Sequence, residues 1–134
     1  MTKKGNLIEK IKYVEQFHDV FKIGNRYSPT AELDEKEYML RYSLIKEENE
    51  EYLEACKNGD LVEIADAIGD QLYILFGTVL RHGLQHKIEE VFDEIQRSNM
   101  SKLDEKGEPI FREDGKILKS NLYFKPDIKS ILER

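Results

Sequence analysis

The chain has 134 residues, 36% of them charged, and a net charge of −6. That length fits one domain of ordinary size, and the acidic balance argues against a nucleic-acid-binding surface, which would be basic. The single Cys56 excludes an internal disulfide framework and fits a reducing cytoplasm.

Met1–Lys10 lacks the apolar run of a signal peptide. Residues 6–23 read as an amphipathic helix, with Ile8, Ile11, Val14, Phe17 and Phe21 at helical spacing beside Leu7 and His18. Gly24-Asn25 stops it, and Ser28-Pro29 belongs to a loop. A second helix begins near residues 33–35, capped by Thr30 or Asp34, and runs to about Lys57. Asn58-Gly59-Asp60 is a turn in which Gly59 ends one helix and Asp60 caps the next. The third helix spans residues 61–81, with His82-Gly83 closing it. Its stretch from Ile64 to Leu80 is the most apolar of the chain, but Asp66, Asp70 and Gln71 interrupt it, so no membrane span is expected. A fourth helix runs from about Gln85 to Met100, with Ile88, Val91, Phe92 and Ile95 as its stripe.

Beyond Ser101 the pattern changes. Residues 104–109 read as a polar turn, and Ile110-Phe111-Arg112 precedes a second turn at Glu113-Asp114-Gly115-Lys116, which makes a short hairpin or an ordered loop. The tail holds Leu122, Tyr123, Phe124, Ile128, Ile131 and Leu132, too many apolar residues for a disordered segment, so it is expected to fold back on the body. Short loops between antiparallel helices predict an all-α fold. The expectation is one domain over 1–134, a four-helix bundle over about 6–100 with a C-terminal arm over about 101–134.

Two acidic stretches stand out. On a helical wheel at ~100° per residue, Leu40, Leu44, Glu47, Glu48, Glu51 and Ala55 share one arc of the second helix, whereas Glu50 falls on the solvent side. On the third helix Glu63, Asp66 and Asp70 share an arc of about 60°, with Gly77 on the same side and Tyr73 and Ile74 flanking it. An isolated run of acids is usually solvated helix surface, and Arg41, two turns before Glu48 on nearly the same face, offers an ion-pair alternative. Two facing acidic patches instead predict a metal cradle. Buried ionised carboxylates are costly unless paired or metal-bound, and like charges raise one another's pKa. A hard divalent cation relieves both, with Mg²⁺ the usual choice when phosphates complete the shell and Mn²⁺ a substitute. An acidic protein acting on a polyanion needs such a bridge.

The order Glu47-Glu48-x-x-Glu51, a spacer, then Glu63-Ile64-Ala65-Asp66 resembles the EExxE…ExxD pattern of the all-α nucleoside triphosphate pyrophosphohydrolases, MazG-like proteins among them. Residues 94–102, the segment 112–125 and Phe17-His18-x-x-Phe21 are similar to the phosphoribosyl-ATP pyrophosphohydrolase-like branch. One departure concerns Asp70. The apolar run that follows the last Asp of the pattern begins only after Asp70, and Ala67 stands where the Glu would be. Aligned so, Asp66 replaces that Glu. The resemblance then implies Glu48, Glu51, Asp66 and Asp70 as metal ligands, Glu47 and Glu48 as catalytic carboxylates, Glu47 binding metal or orienting the attacking water, and Glu63 at the margin.

The implied reaction is NTP + H₂O → NMP + PPi in a metal-dependent, cytoplasmic homodimer or homotetramer with a role in nucleotide-pool house-cleaning. By the same resemblance Asn99 and Lys102 contact sugar or phosphates, although a cation at a helix C-terminus is common without function. His18 either hydrogen-bonds a nucleotide or completes the core beside Phe17 and Phe21, and Asn25 could reach a base from its loop. Lys116, Lys119, Tyr123 and Lys125 either close over phosphates or form a solvated surface and a tail anchor. His82 and His86 lack zinc-ligand spacing, and no phosphate loop or dinucleotide fingerprint is present. Phosphoribosyl-ATP pyrophosphohydrolase of histidine synthesis is the alternative on the same scaffold. A non-catalytic helical adaptor is the alternative of another class.

Overall fold

The computed structural model describes residues 6–134; residues 1–5 of the stretch read for a leader lie outside the described residues. The described chain is mostly helical and divides into two compact units, one ending at His86 and the other spanning Lys87–Arg134.

The first unit holds α1 (Leu7–Val20), α2 (Glu35–Lys57) and α3 (Leu61–Arg81). Each begins on a side-chain cap. Asn6 accepts from the Glu9 N–H, Asp34 from Glu37 and Asp60 from Glu63, which satisfies donors the helix itself cannot. Of the two caps expected for α2, Asp34 is the one used. After α1 the chain reverses through Lys22 and Gly24, both at positive φ. At Gly83 glycine is obligatory: φ is 67°, and a Cβ would lie 2.2 Å from the Ser28 carbonyl oxygen.

α2 lies along α3, and α1 packs on α3. Ile11 and Val14 of α1, Ala55 of α2, and Ala67 and Leu80 of α3 are buried. One ion-pair cluster joins the ends of these elements. Glu37 accepts from Arg81 Nε at 2.5 Å and from Arg26 Nη2 at 3.0 Å, and Arg26 Nη1 also donates to the Arg81 carbonyl at 2.7 Å.

The second unit holds α4 (Ile88–Met100), an antiparallel pair β1 (Ile110–Phe111) and β2 (Ile117–Leu118), and α5 (Ile128–Glu133). α4 starts three residues later than its periodicity suggested, because residues 85–87 form turns and Lys87 supplies no side-chain cap. The hairpin is present, with Ile110 opposite Leu118. The tail is ordered against α4, as its aromatics predict. Buried Ser98 donates to the Phe124 carbonyl at 2.8 Å, Glu94 accepts from the Asp127 N–H at 2.7 Å, and the Arg97 guanidinium stacks over the Phe124 ring at 4.4 Å. No described helix is long and apolar enough to cross a membrane.

The Arg81 hydrogen bond, aided by Arg26, holds the Glu37 carboxyl at about 2, below its ordinary 4.5. A depressed carboxylate contributes stability above its unfolded pKa, and that contribution is lost as pH falls through the folded value. Glu37 is 17% exposed, so Glu37→Gln is expected to cost about 2–3 kcal/mol at pH 7. In urea denaturation the gap to the wild type should narrow between pH 4.5 and pH 2.

Candidate metal centre and adjoining cavity

α2 presents Glu48 and Glu51 one turn apart, and α3 presents Asp70 to them. One carboxylate oxygen of each lies within 4.8 Å of the others. A magnesium-sized ion binding at ~2.1 Å needs donors no more than about 4.2 Å apart, so small side-chain adjustments close the set.

The electrostatics are those of an uncompensated site. Glu48 Oε2 is buried and has no hydrogen-bond partner. Burial first, then a proton shared with Glu51 and the charges of Glu51, Asp70 and Asp66, push the Glu48 carboxyl up to about 7. Asp70 is raised as well, by burial and by Asp66 and Glu51. Among the described residues no lysine, arginine or histidine forms an ion pair with any of the three. Arg41 in particular does not turn to Glu48: its Nε donates to Thr78 Oγ1 at 2.9 Å and its Nη2 to the Ile74 carbonyl at 2.6 Å. Three converging carboxylates, one with a buried orphan oxygen, fit a hard oxygen-seeking cation. The absence of His and Cys from the set argues against a soft one.

Of the other acids expected here, Asp66 is exposed one turn before Asp70, near enough to raise both Glu48 and Asp70. Glu47 and Glu63 are exposed, which corrects the expectation that Glu47, Glu48 and Glu51 all line an inward wall. Glu51 is exposed too, and Leu40, used to define that arc, is 56% exposed. The buried line of α2 instead runs through Arg41 and Ala55, with Leu44 and Glu48 half-buried beside it.

Glu48 and Asp70 open onto a cavity of about 400 Å³ walled by Phe17, Tyr73 and Ile74, with His18 and Arg41 also lining it. Phe17 meets Tyr73 edge to face at 5.5 Å between centroids. His18 is 2% exposed, and its Nδ1 faces two acceptors, the Gly24 carbonyl (3.2 Å) and Asn25 Oδ1 (3.1 Å). Asn25 is oriented by its own amide donations to the Glu15 carbonyl and to Asp19 Oδ1, so it is engaged internally and does not serve as a free base contact. Nδ1 therefore carries the proton. Burial, then the Arg41 charge, lowers the His18 pKa, which keeps the ring neutral with an Nε2 lone pair. His18 is buried and also lines the cavity, so its position is compatible with either expected role, completing the core or hydrogen-bonding a nucleotide.

The sequence did not single out Arg41 as a cavity residue, because a lone arginine on a helix face reads as an ion-pair partner. The glycine at 77 is the signal that could have exposed it. A Cβ there would lie 2.6 Å from Arg41 Nη2 and 3.0 Å from His18 Nε2.

The remaining expected residues belong to the second unit. Asn99 is exposed in the last turn of α4, and its carbonyl accepts from the Lys102 N–H at 3.2 Å. Lys116 is exposed beside the hairpin turn, Tyr123 is half-buried with Lys119 Nζ 4.6 Å from its ring centre, and Lys125 is exposed.

A search of curated proteins finds no match to the chain. A family model does match: phosphoribosyl-ATP pyrophosphohydrolase, over residues 14–99. That span contains α2, α3 and the whole acidic cluster. It covers well over half of the chain, and the chain belongs to the phosphoribosyl-ATP pyrophosphohydrolase family, within the MazG-like all-α NTP pyrophosphatase superfamily.

Proposed function

We infer from membership of this family that the protein is a pyrophosphohydrolase, a hydrolase of acid anhydrides acting on nucleotide-like substrates. We propose that it is a Mg²⁺-dependent nucleoside triphosphate pyrophosphohydrolase, converting an NTP or dNTP to the monophosphate and pyrophosphate. The observation that carries this reading is the convergence of Glu48, Glu51 and Asp70, two of which line an aromatic-walled cavity, with one Glu48 oxygen buried and unpartnered.

In this reading Glu48, Glu51 and Asp70 hold the metal, and Asp66 completes the set on the α3 side. A bound Mg²⁺ supplies positive charge to the phosphate oxygens and lowers the pKa of a coordinated water. Glu47, exposed beside this cluster, orients the attacking water and takes its proton. By holding a cation beside the cavity, Glu48 and Glu51 would set where the phosphate end of the substrate lies, and Phe17 and Tyr73 would shield one side of it from water. Asn99, Lys102, Lys116, Tyr123 and Lys125 are proposed as substrate contacts on the strength of the family resemblance, with Lys side chains acting as point charges for phosphate. A four-helix core in a single domain over 1–134, a homodimer or homotetramer, a cytoplasmic location and a house-cleaning role complete the proposal. The matched family model favours one second reading, that phosphoribosyl-ATP of histidine synthesis is the substrate.

A pyrophosphate-release screen with Mg²⁺ over natural and modified NTPs and dNTPs, with phosphoribosyl-ATP included, tests both readings. Release from at least one NTP is expected; release from phosphoribosyl-ATP alone would favour the second reading. Glu51→Gln and Asp70→Asn should each lower turnover at least about 100-fold while circular dichroism stays native. Full activity in either variant would remove that residue from the ligand set.

Stability offers an independent check. A carboxyl whose folded pKa is raised contributes stability below its unfolded value, and the contribution is lost as pH rises through the folded one. For Glu48 that window runs from about 4.5 to about 7. Metal-free Glu48→Gln should therefore melt above the wild type at pH 8, with the difference shrinking toward pH 5. Mg²⁺ or Mn²⁺ should raise the melting temperature of the wild type more than that of the variant.

A further inference from the structure

Arg41 is a buried cation without a buried anion. It is 9% exposed, and among the described residues no carboxylate pairs with it. Two of its five N–H groups are used, on Thr78 Oγ1 and on the Ile74 carbonyl, both neutral acceptors. A guanidinium desolvated without a counter-charge is costly, and the nitrogen that makes no hydrogen bond is not among the buried unpartnered atoms of the described residues, so it stays accessible. Gly77 makes the arrangement possible, since any side chain there would displace the guanidinium. The neutral Nε2 of His18 faces the same gap, so a donor and an acceptor stand side by side in the cavity that Glu48 and Asp70 share.

We propose that Arg41 is a specificity-determining residue that reads the substrate's base, donating to a carbonyl oxygen while His18 Nε2 accepts from the adjoining ring N–H. That pair matches the lactam edge of uracil, thymine, guanine or hypoxanthine. Adenine has no exocyclic oxygen to offer, and its amino group would meet the guanidinium donor to donor. The inference rests on the hydrolase reading, which puts the phosphates at the acid cluster. Arg41 lies seven residues before Glu48 on α2, about 10 Å along the axis, comparable with the span from an α-phosphate through a ribose to the far edge of a base. Phe17 and Tyr73, packed edge to face, give the intervening cavity the aromatic surface on which a base can lie. Arginine suits the task because its charge is permanent and Thr78 and Ile74 hold its plane.

The test compares kcat/KM for UTP, dTTP, GTP and ITP against ATP in the full chain with Mg²⁺. The best lactam-bearing substrate should exceed ATP by at least about tenfold. Arg41→Lys, which keeps the charge but loses the planar fork, should collapse that ratio mainly through KM. If the lysine variant fails to fold, Thr78→Val removes the acceptor that holds Nε and should narrow the same ratio. Calorimetric binding of UMP, GMP and AMP reads the preference without catalysis. Preference for UMP or GMP with no hydrolysis of any NTP would sink the hydrolase reading and leave Arg41 as the reader of the base. Equal use of ATP, or an unchanged ratio in a folded Arg41 variant, overturns the proposal. So does a variant whose only loss is on phosphoribosyl-ATP, because Arg41 would then read a phosphate.

Discussion

The repulsion among Glu48, Glu51 and Asp70 across the α2–α3 contact is the constraint on which the rest of the first unit turns. Three carboxylates gather where two helices meet, no lysine or arginine neutralises them among the described residues, and one oxygen is buried without a partner. Without a cation, burial and the neighbouring acids push the Glu48 carboxyl up to about 7. The packing that keeps the acids together comes from elsewhere: the Asp34 and Asp60 caps that set the phase of α2 and α3, and the Glu37–Arg81–Arg26 cluster that ties their ends. Those interactions over-determine the helix pair, so it tolerates a locally unfavourable patch.

The cavity continues from this negative end to a positive one. Arg41 and His18 are held by neutral partners, Thr78, Ile74, Gly24 and Asn25, and not by opposite charges. The cavity is therefore lined by carboxylates, by aromatic and aliphatic side chains, and by a fixed donor–acceptor pair about two helical turns from Glu48 along α2. The proposed substrate, a metal-bound triphosphate with a base, would meet these chemistries in one cavity, and the family itself is one of pyrophosphohydrolases acting on nucleotide-like substrates.

Much of this was legible in the sequence because it depends on local signals. Caps and glycines bounded α2 and α3 correctly, and the tail's aromatics foretold an arm ordered on α4. Glu50 was read as solvent surface, and it is exposed. The pairing of Glu48 and Glu51 with Asp70 is legible in helical phase, since residues three apart lie on neighbouring parts of one helix face. The phase nonetheless differs by a fraction of a turn: Leu40 draws the expected arc toward Glu47, whereas the buried line passes through Arg41. An arginine there reads as surface or as an ion-pair partner, and only the three-dimensional gap at Gly77 shows why it can be interior. The start of α4 was misplaced because a capless helix leaves no mark in sequence.

Glu48, Glu51 and Asp70 are proposed to form one cation site, and in the metal-free protein burial and their mutual charge push the Glu48 carboxyl up to about 7. Calorimetric titration of Mn²⁺ into the metal-free protein, in buffers of different ionisation enthalpy, tests it directly by counting the protons released. At pH 6 binding should release most of one proton, and at pH 8.5 almost none, as expected for a carboxyl that titrates near 7. No detectable binding, or binding with no proton release at pH 6, would contradict the account.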